Sequence, residues 1–315
     1  MFAARGIAIS FSVFAIVYCL LSLVVSLTWR RVCAYSQRHP VGRTADMLFA
    51  LRMLPLVSAA AITATFTIPS FLLLEPRAIE EPLGGIPLVL GLCGFALGIF
   101  GVMNAGLAIR RASRAITTWT AGSQPVASSG TVPVLRIART VPAMTAAGIV
   151  RPKVLLSRTA EFLLNDGELK TALNHEVAHV RRRDNLKKLF LRFVAFPGMA
   201  GLEAAWLEAT EMAADDAAVS NAGEALDLAA ALIKLSRLAP QPSVDLTAAL
   251  VQSSASVMNA RVERLIAWND EPRAKLHKAS PWYGIGAALA TIALFAVTYT
   301  QLLVHVHTAT EWLVR

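Results

Sequence analysis

The sequence predicts an α-helical membrane protein with four transmembrane helices and one α+β domain held on the cytoplasmic side. Three observations predict it. Only 16% of the 315 residues are charged and 55% are hydrophobic, whereas a soluble globule carries nearer a quarter charged residues. The apolar residues are concentrated in four uncharged runs of bilayer-spanning length. Between the third and fourth runs lies a long segment where short strand-like runs precede an amphipathic helix with a clear start signal.

The first run, residues 6–29, is uncharged throughout. It is longer than the apolar region of a signal peptide, and no small-residue cleavage site follows it, so a retained span is expected. The second, 53–74, is interrupted by Pro55 and Pro69, which spans tolerate better than soluble helices do. The third, 88–109, carries Gly91, Gly94, Gly98, Gly101 and Gly106, a small-residue face suited to close helix packing in lipid. The fourth is 283–304. The expected organisation is three spans in residues 1–110, a cytoplasmic domain in 111–281, and the fourth span with a short outer tail in 282–315.

Orientation follows from Lys and Arg near the span ends. Arg30, Arg31, Arg38, Arg43 and Arg52 lie between spans one and two, and Arg110, Arg111 and Arg114 follow span three. The loop between spans two and three holds Glu75, Glu80 and Glu81 against Arg77. The arginine-rich segments are therefore expected in the cytoplasm, with both termini on the other side of the cytoplasmic (inner) membrane. Arg5 opposes this weakly. The net charge of +9 is mostly this bias and calls for no nucleic-acid partner. The three cysteines, Cys19, Cys33 and Cys93, fall outside the 111–281 segment, so neither a disulfide framework nor a thiolate site is expected.

Within the cytoplasmic segment, 120–131 reads as a flexible link. Val132–Ile137 and Lys153–Ser157 read as strands, with Gly148 and Pro152 marking the turn between them. Asn165-Asp166-Gly167-Glu168 resembles a capping box. It opens a helix with the apolar stripe Leu169, Leu173, Val177 and Val180. Arg181-Arg182-Arg183-Asp184 reads as a solvated helix end facing lipid headgroups. Leu186 to Trp206, broken at Pro197-Gly198, reads as a membrane-hugging helical hairpin rather than a fifth span. Ala225 to Leu238 reads as a packing helix. His305-Val306-His307, near Glu311, reads as interface residues at the outer end of span four, because metal sites need more converging ligands.

The chemistry sits on the capped helix. His175-Glu176-Val177-Ala178-His179 places two imidazoles four residues apart on one helical face, where they can grip one zinc ion. Glu176 beside them can act as general base. A catalytic zinc takes three protein ligands and keeps one position open. Downstream, Glu211 and Asp215 are again four apart. Like charges at that spacing repel slightly, so the pair asks for a cation. Glu211 can be the third ligand, and Asp215 can accept the free ring N–H of a ligating histidine and fix its tautomer. The implied domain is a zincin-like metallopeptidase.

His175-Glu-Val-Ala-His-Val-Arg-Arg-Arg-Asp184, Glu211-Met-Ala-Ala-Asp-Asp-Ala-Ala218 and Arg261-Val-Glu-Arg-Leu265 resemble the membrane metallopeptidases of the beta-lactam sensor-transducers, the BlaR and MecR type. Gly148 to Leu156 resembles that family's strand ahead of the zinc helix. The resemblance covers roughly residues 130 to 270 and the arrangement of three spans before and one after. It implies zinc on His175, His179 and Glu211, and Glu176 as catalytic glutamate. It also implies a cytoplasmic protein substrate, of the kind of a DNA-binding repressor. Those sensor-transducers continue past the fourth span into an extracellular sensor domain. The sequence ends at Arg315, so a separate sensor partner is the expectation. Heat-shock membrane proteases of the HtpX type and the CAAX prenyl endopeptidase share the same motif logic, which gives membrane quality control as the alternative role. A signalling scaffold without catalysis is a third, and intact Glu176 argues against it.

Many zinc peptidases add a Tyr or His as an oxyanion donor, and residues 111–281 contain no tyrosine. Arg264 is the expected substitute, since an arginine can stabilise developing charge. The substrate backbone is expected to add to an edge strand, with Lys153–Ser157 as the candidate.

Overall fold

Three apolar runs become long helices because a chain in lipid must satisfy its backbone N–H and C=O groups internally, even through Pro55 and Pro69. They are α1 (Phe2–Ser36), α2 (Val41–Ile62), continued through a π-helical turn at Thr63–Thr67 into α3 (Ile68–Leu74), and α4 (Gly85–Thr120). Each is long and apolar enough to cross a membrane. The computed structural model describes residues 2–36, 40–76, 84–126, 132–138, 142–193, 196–238, 247–249, 255–268 and 298–312. Most of the expected fourth span, 283–304, lies outside the described residues. Its last part belongs to a helix over 298–312, here α11.

The chain divides into two compact units. One comprises 1–25, 53–100 and 272–315, and the other comprises 26–52 and 101–271. In the first unit the glycine face of α4 works as close-packing chemistry requires. A Cβ on Gly91 would come within 2.7 Å of the Ala8 carbonyl oxygen, and one on Gly94 within 2.3 Å of the Phe11 carbonyl oxygen. A Cβ on Gly98 would meet nothing within 4 Å among the described residues. Pro69 has no N–H to donate back to the Thr65 carbonyl. The Tyr299 hydroxyl of α11 donates to that carbonyl at 2.8 Å, as a neighbouring helix must when a proline interrupts a span. Arg5 pairs with Glu75 at 2.9 Å, and both are buried.

The second unit holds a five-stranded sheet. Its strands are β1 (Gln124–Val126), β2 (Val134–Ile137), β3 (Met144–Ala147), β4 (Lys153–Ser157) and β5 (Thr247–Ala249), in the order β1-β2-β4-β3-β5. Only β2 and β4 run parallel, with Leu135 opposite Leu155; the other neighbours are antiparallel. The expected strands at 132–137 and 153–157 are present. The segment 120–131 is not wholly a link, because Gln124–Val126 forms an edge strand. The expectation that Lys153–Ser157 is a free edge is corrected by the topology: β4 is paired on both sides, to β2 and to β3. An extended substrate has no open ladder there.

Side-chain alternation on β4 serves two cores. Val154 and Leu156 join the larger one, with Ala172 of the motif helix and Leu228 and Leu232 of α9 (Ala222–Ser236). Leu155 faces the other way and packs with Ile137, Ala147 and Trp119 of α4. The motif helix α6 (Asp166–Arg182) follows the short α5 (Arg158–Leu163), and its capping box is formed as expected. Asn165 accepts from the Glu168 N–H at 2.8 Å, and Glu168 accepts from the Asn165 N–H at 3.0 Å. The segment 186–206 resolves into α7 (Asp184–Phe193) and the start of α8 (Ala200–Ala218), turning at Pro197-Gly198. Leu202 and Trp206 are fully buried. The α10 helix (Ala255–Ile266) packs on α9.

Candidate metal centre

Helix α6 brings His175, Glu176 and His179 to one buried face, and α8 presents Glu211 and Asp215 to it. His175 and Glu176 are 0% exposed and His179 2%. The site face is therefore more deeply buried than the stripe Leu169, Leu173, Val177 and Val180, whose members are partly buried against the main core. The two histidine Nε2 atoms lie 3.1 Å apart. Glu211 places Oε2 3.6 Å from His175 Nε2 and Oε1 3.6 Å from His179 Nε2.

The other ring nitrogens explain that arrangement. His175 Nδ1 is 2.9 Å from Asp215 Oδ1, and His179 Nδ1 is 2.7 Å from Asp184 Oδ2. A carboxylate oxygen can only accept, so each Nδ1 facing one carries a proton, and in the neutral imidazole Nε2 is the nitrogen left to bind a metal. Both Nε2 atoms then present lone pairs to each other and to Glu211. Three lone-pair donors converging in a buried space repel unless a cation lies among them. Four ligands set tetrahedrally about 2.0–2.1 Å from zinc are about 3.3 Å from one another. The separations of 3.1 and 3.6 Å bracket that value. The donor set fits a divalent metal ion.

With no metal bound, the negative charge of the cluster draws a proton to His175 instead. Burial pulls the His175 pKa down, but hydrogen bonds donated to the Asp215 and Glu211 carboxylates outweigh it and raise the pKa to about 9. Burial raises the Glu211 carboxyl, yet His179, His175 and Arg261 hold it at about 2. Burial likewise opposes ionisation of Asp215, and Arg261 overcomes it, holding the carboxyl well below its ordinary value. For Glu176 burial wins over the two imidazoles and pushes its carboxyl up. Glu176 Oε2 accepts the Ala146 N–H of β3 at 2.6 Å, while its Oε1 is buried without a hydrogen-bond partner among the described residues. Asn185 ties the same strand to α7 by donating to the carbonyls of Ala146 and Gly148 at 3.1 and 3.3 Å.

The structure thus brings together His175, Glu176, His179, Glu211 and Asp215. It places Arg264 elsewhere: its guanidinium reaches Asp216 and donates to the Met212 carbonyl at 3.3 Å. The arginine at the cluster is Arg261, wholly buried. Two site residues were missed from the sequence. Asp184 was read as the end of a solvated arginine run, though an acid five residues after the second histidine was a usable signal. Arg261 stood in the same motif as Arg264, and nothing in the sequence chose between them. Of the arginine run, Arg182 lies 3.4 Å from Asp46 of α2, while Arg181 and Arg183 are exposed. A second group, Glu75, His307 and Glu311, also gathers ligand atoms. Arg5 occupies that group, 2.9 Å from Glu75 and 3.8 Å from Glu311.

Two buried imidazoles and a carboxylate in one cluster, in a chain with three membrane-length helices, define a membrane-associated metallopeptidase. The family model of the BlaR1 peptidase M56 matches residues 17–265, and the chain belongs to that family. No curated protein matches the chain.

Proposed function

We propose that this chain is a zinc metalloendopeptidase of the cytoplasmic membrane, carried by four spans, with a zincin-like domain on the cytoplasmic face. Its substrate is a cytoplasmic regulatory protein, a DNA-binding repressor being the kind that the family resemblance favours. One observation carries the reading: two histidine Nε2 atoms and the Glu211 carboxylate converge in a buried cluster with Glu176 alongside. Two imidazoles and one carboxylate, with no thiolate among them, suit a catalytic zinc centre.

Bound zinc supplies a Lewis acid for the scissile carbonyl and lowers the pKa of water to about 7. The chain does the rest. Asp215 and Asp184 hold the imidazoles in the tautomer that offers Nε2. The Ala146 N–H fixes Glu176 by one oxygen. The other oxygen is left to take a proton from water and return it to the leaving amine. The buried walls keep bulk water from competing.

The test compares wild type with Glu176→Ala. Wild-type protein should carry about one zinc per chain, and Glu211→Ala should lose most of it. Glu176→Ala should keep the zinc while cleavage slows about 10²–10⁴-fold, as removal of a general base does. In cells, quantitative proteomics under envelope stress and antibiotic exposure should show one small DNA-binding protein persisting in the Glu176→Ala strain. Many stabilised membrane proteins would instead assign a quality-control role. A proteome that shows neither of these patterns would take away the support for proteolysis.

A further inference from the structure

We infer that Arg261 is a positioning residue that fixes how Glu211 meets the metal, holding its carboxylate through an ion pair at Oε2. The inference rests on reading the cluster as a metal centre. One planar guanidinium spans two carboxylates. Its Nε and Nη2 lie 2.8 and 2.7 Å from the two oxygens of Asp215, and its Nη1 lies 3.1 Å from Glu211 Oε2. Asp215 in turn meets His175 Nδ1. A single side chain from α10 therefore touches both the third ligand and the carboxylate that orients the first.

The geometry has a chemical consequence. An unrestrained carboxylate can chelate a metal with both oxygens and fill the position a peptidase must keep open for water. The ion pair at Oε2 holds the carboxylate with Oε2 3.6 Å from His175 Nε2 and Oε1 3.6 Å from His179 Nε2, and so keeps it from turning both oxygens fully onto the metal. The charge balance requires the same residue. Glu211 and Asp215 repel across one helical turn, and a buried guanidinium between them offsets that repulsion. Arg264 completes the device from the next turn of α10. It reaches Asp216 and the Met212 carbonyl of α8 and so docks α10 where Arg261 must stand. Lysine cannot replace Arg261, because a point charge on a flexible stem cannot hold two carboxylates in one plane.

The experiment uses the full chain in detergent, with cobalt(II) as spectroscopic probe and zinc competition for affinity. Four-coordinate cobalt absorbs strongly in the visible, and five- or six-coordinate cobalt weakly. Arg261→Lys should weaken zinc binding about 10–100-fold, as loss of an outer contact does, and its cobalt bands should fade. Arg136→Lys, in the half-exposed ion pair with Glu161, should change neither. Unchanged bands and affinity in Arg261→Lys would overturn the inference. If that variant does not fold, the paired change Asp215→Asn with Arg261→Met removes both buried charges together. It leaves Glu211 unclamped and is compared with Asp215→Asn alone: bands that fade further in the pair support the inference, and bands equal to those of the single variant overturn it. A wild-type chain that binds neither metal would instead overturn the metal-centre reading, and this inference with it.

Discussion

Two carboxylates decide which nitrogen of each motif histidine is free, and they come from different places in the chain. Asp215 shares a helix with Glu211, whereas Asp184 follows directly on the motif helix. Asp184 is fully buried and lies 2.7 Å from His179 Nδ1. Replacing it with alanine removes the acceptor that fixes the ring, so zinc affinity should fall about 10–100-fold while the three ligands stay in place. Competition with a chromophoric chelator measures this; an unchanged affinity would show that His179 is oriented by something else. At this scale His175, Glu176, His179, Glu211 and Asp215 are legible in the sequence, because the His-Glu-x-x-His motif and an acidic pair four apart each set their residues on one helical face and together supply three ligands. Arg261 was not legible. Its bond to Asp215 spans 46 residues and depends on how α10 docks, which no local spacing encodes. Lys188 was equally hidden. Burial pulls its ammonium below the ordinary value, against the nearby charges of Glu211, Asp184 and Glu176.

The turn that delivers Asp184 is a property of two elements and one strained residue between them. Arg183 ends α6 with φ of 55°, in the left-handed region, and its N–H bonds to the carbonyls of His179 and Val180. That conformation reverses the chain so that α7 starts beneath the second histidine. A side chain there costs about 1–2 kcal/mol, and a β-branched one more. Arg183→Gly should therefore fold at least as well as wild type. Arg183→Val should be less stable than Arg183→Gly by about 1–2 kcal/mol and should lose metal affinity as Asp184 shifts. Denaturant melts in detergent, with and without zinc, separate the two effects. Equal stability of the two variants would mean the turn is not strained. The sequence showed β2, β4 and α6 because β-branched runs and a capping box are local signals. It hid β3, whose Met144-Thr-Ala-Ala147 has poor strand propensity. All four residues are buried, and Ala146 stands where Glu176 takes its N–H. The small side chains suit a strand pressed against a helix, so packing rather than propensity selected them. Short β1 and β5 escaped for a related reason: three-residue strands carry no periodicity to read.

At the scale of the molecule, the arginine-bearing helix ends fall in the same compact unit as the metal cluster. That unit includes 26–52, with Arg30, Arg31, Arg43 and Arg52, and 101–271, with Arg110, Arg111 and Arg114. Its contacts are specific. Asp46 of α2 meets Lys187 at 2.8 Å, and buried Arg52 meets Glu203 of α8 at 3.0 Å. Through Asp46 and Arg52, α2 is thus ion-paired to α7 and α8, ahead of its uncharged stretch from Met53. Arg5, which opposed the orientation in the sequence, has its charge met by buried Glu75, so it adds little to the bias that sets topology. The positive-inside rule counts Lys and Arg in short loops beside span ends, and under the proposed topology those loops and the unit that holds the metal cluster lie on the cytoplasmic side. Reporter fusions after Arg43 and Arg114 should therefore read cytoplasmic, and fusions after Glu81 and at Arg315 should read the opposite side. Moving the bias should move the protein: replacing Arg110, Arg111 and Arg114 together should give mixed reporter signals, since each cationic residue near the surface contributes about 1 kcal/mol. A cytoplasmic signal at Arg315 would mean an odd number of crossings, and the proposed fourth span would have to be withdrawn.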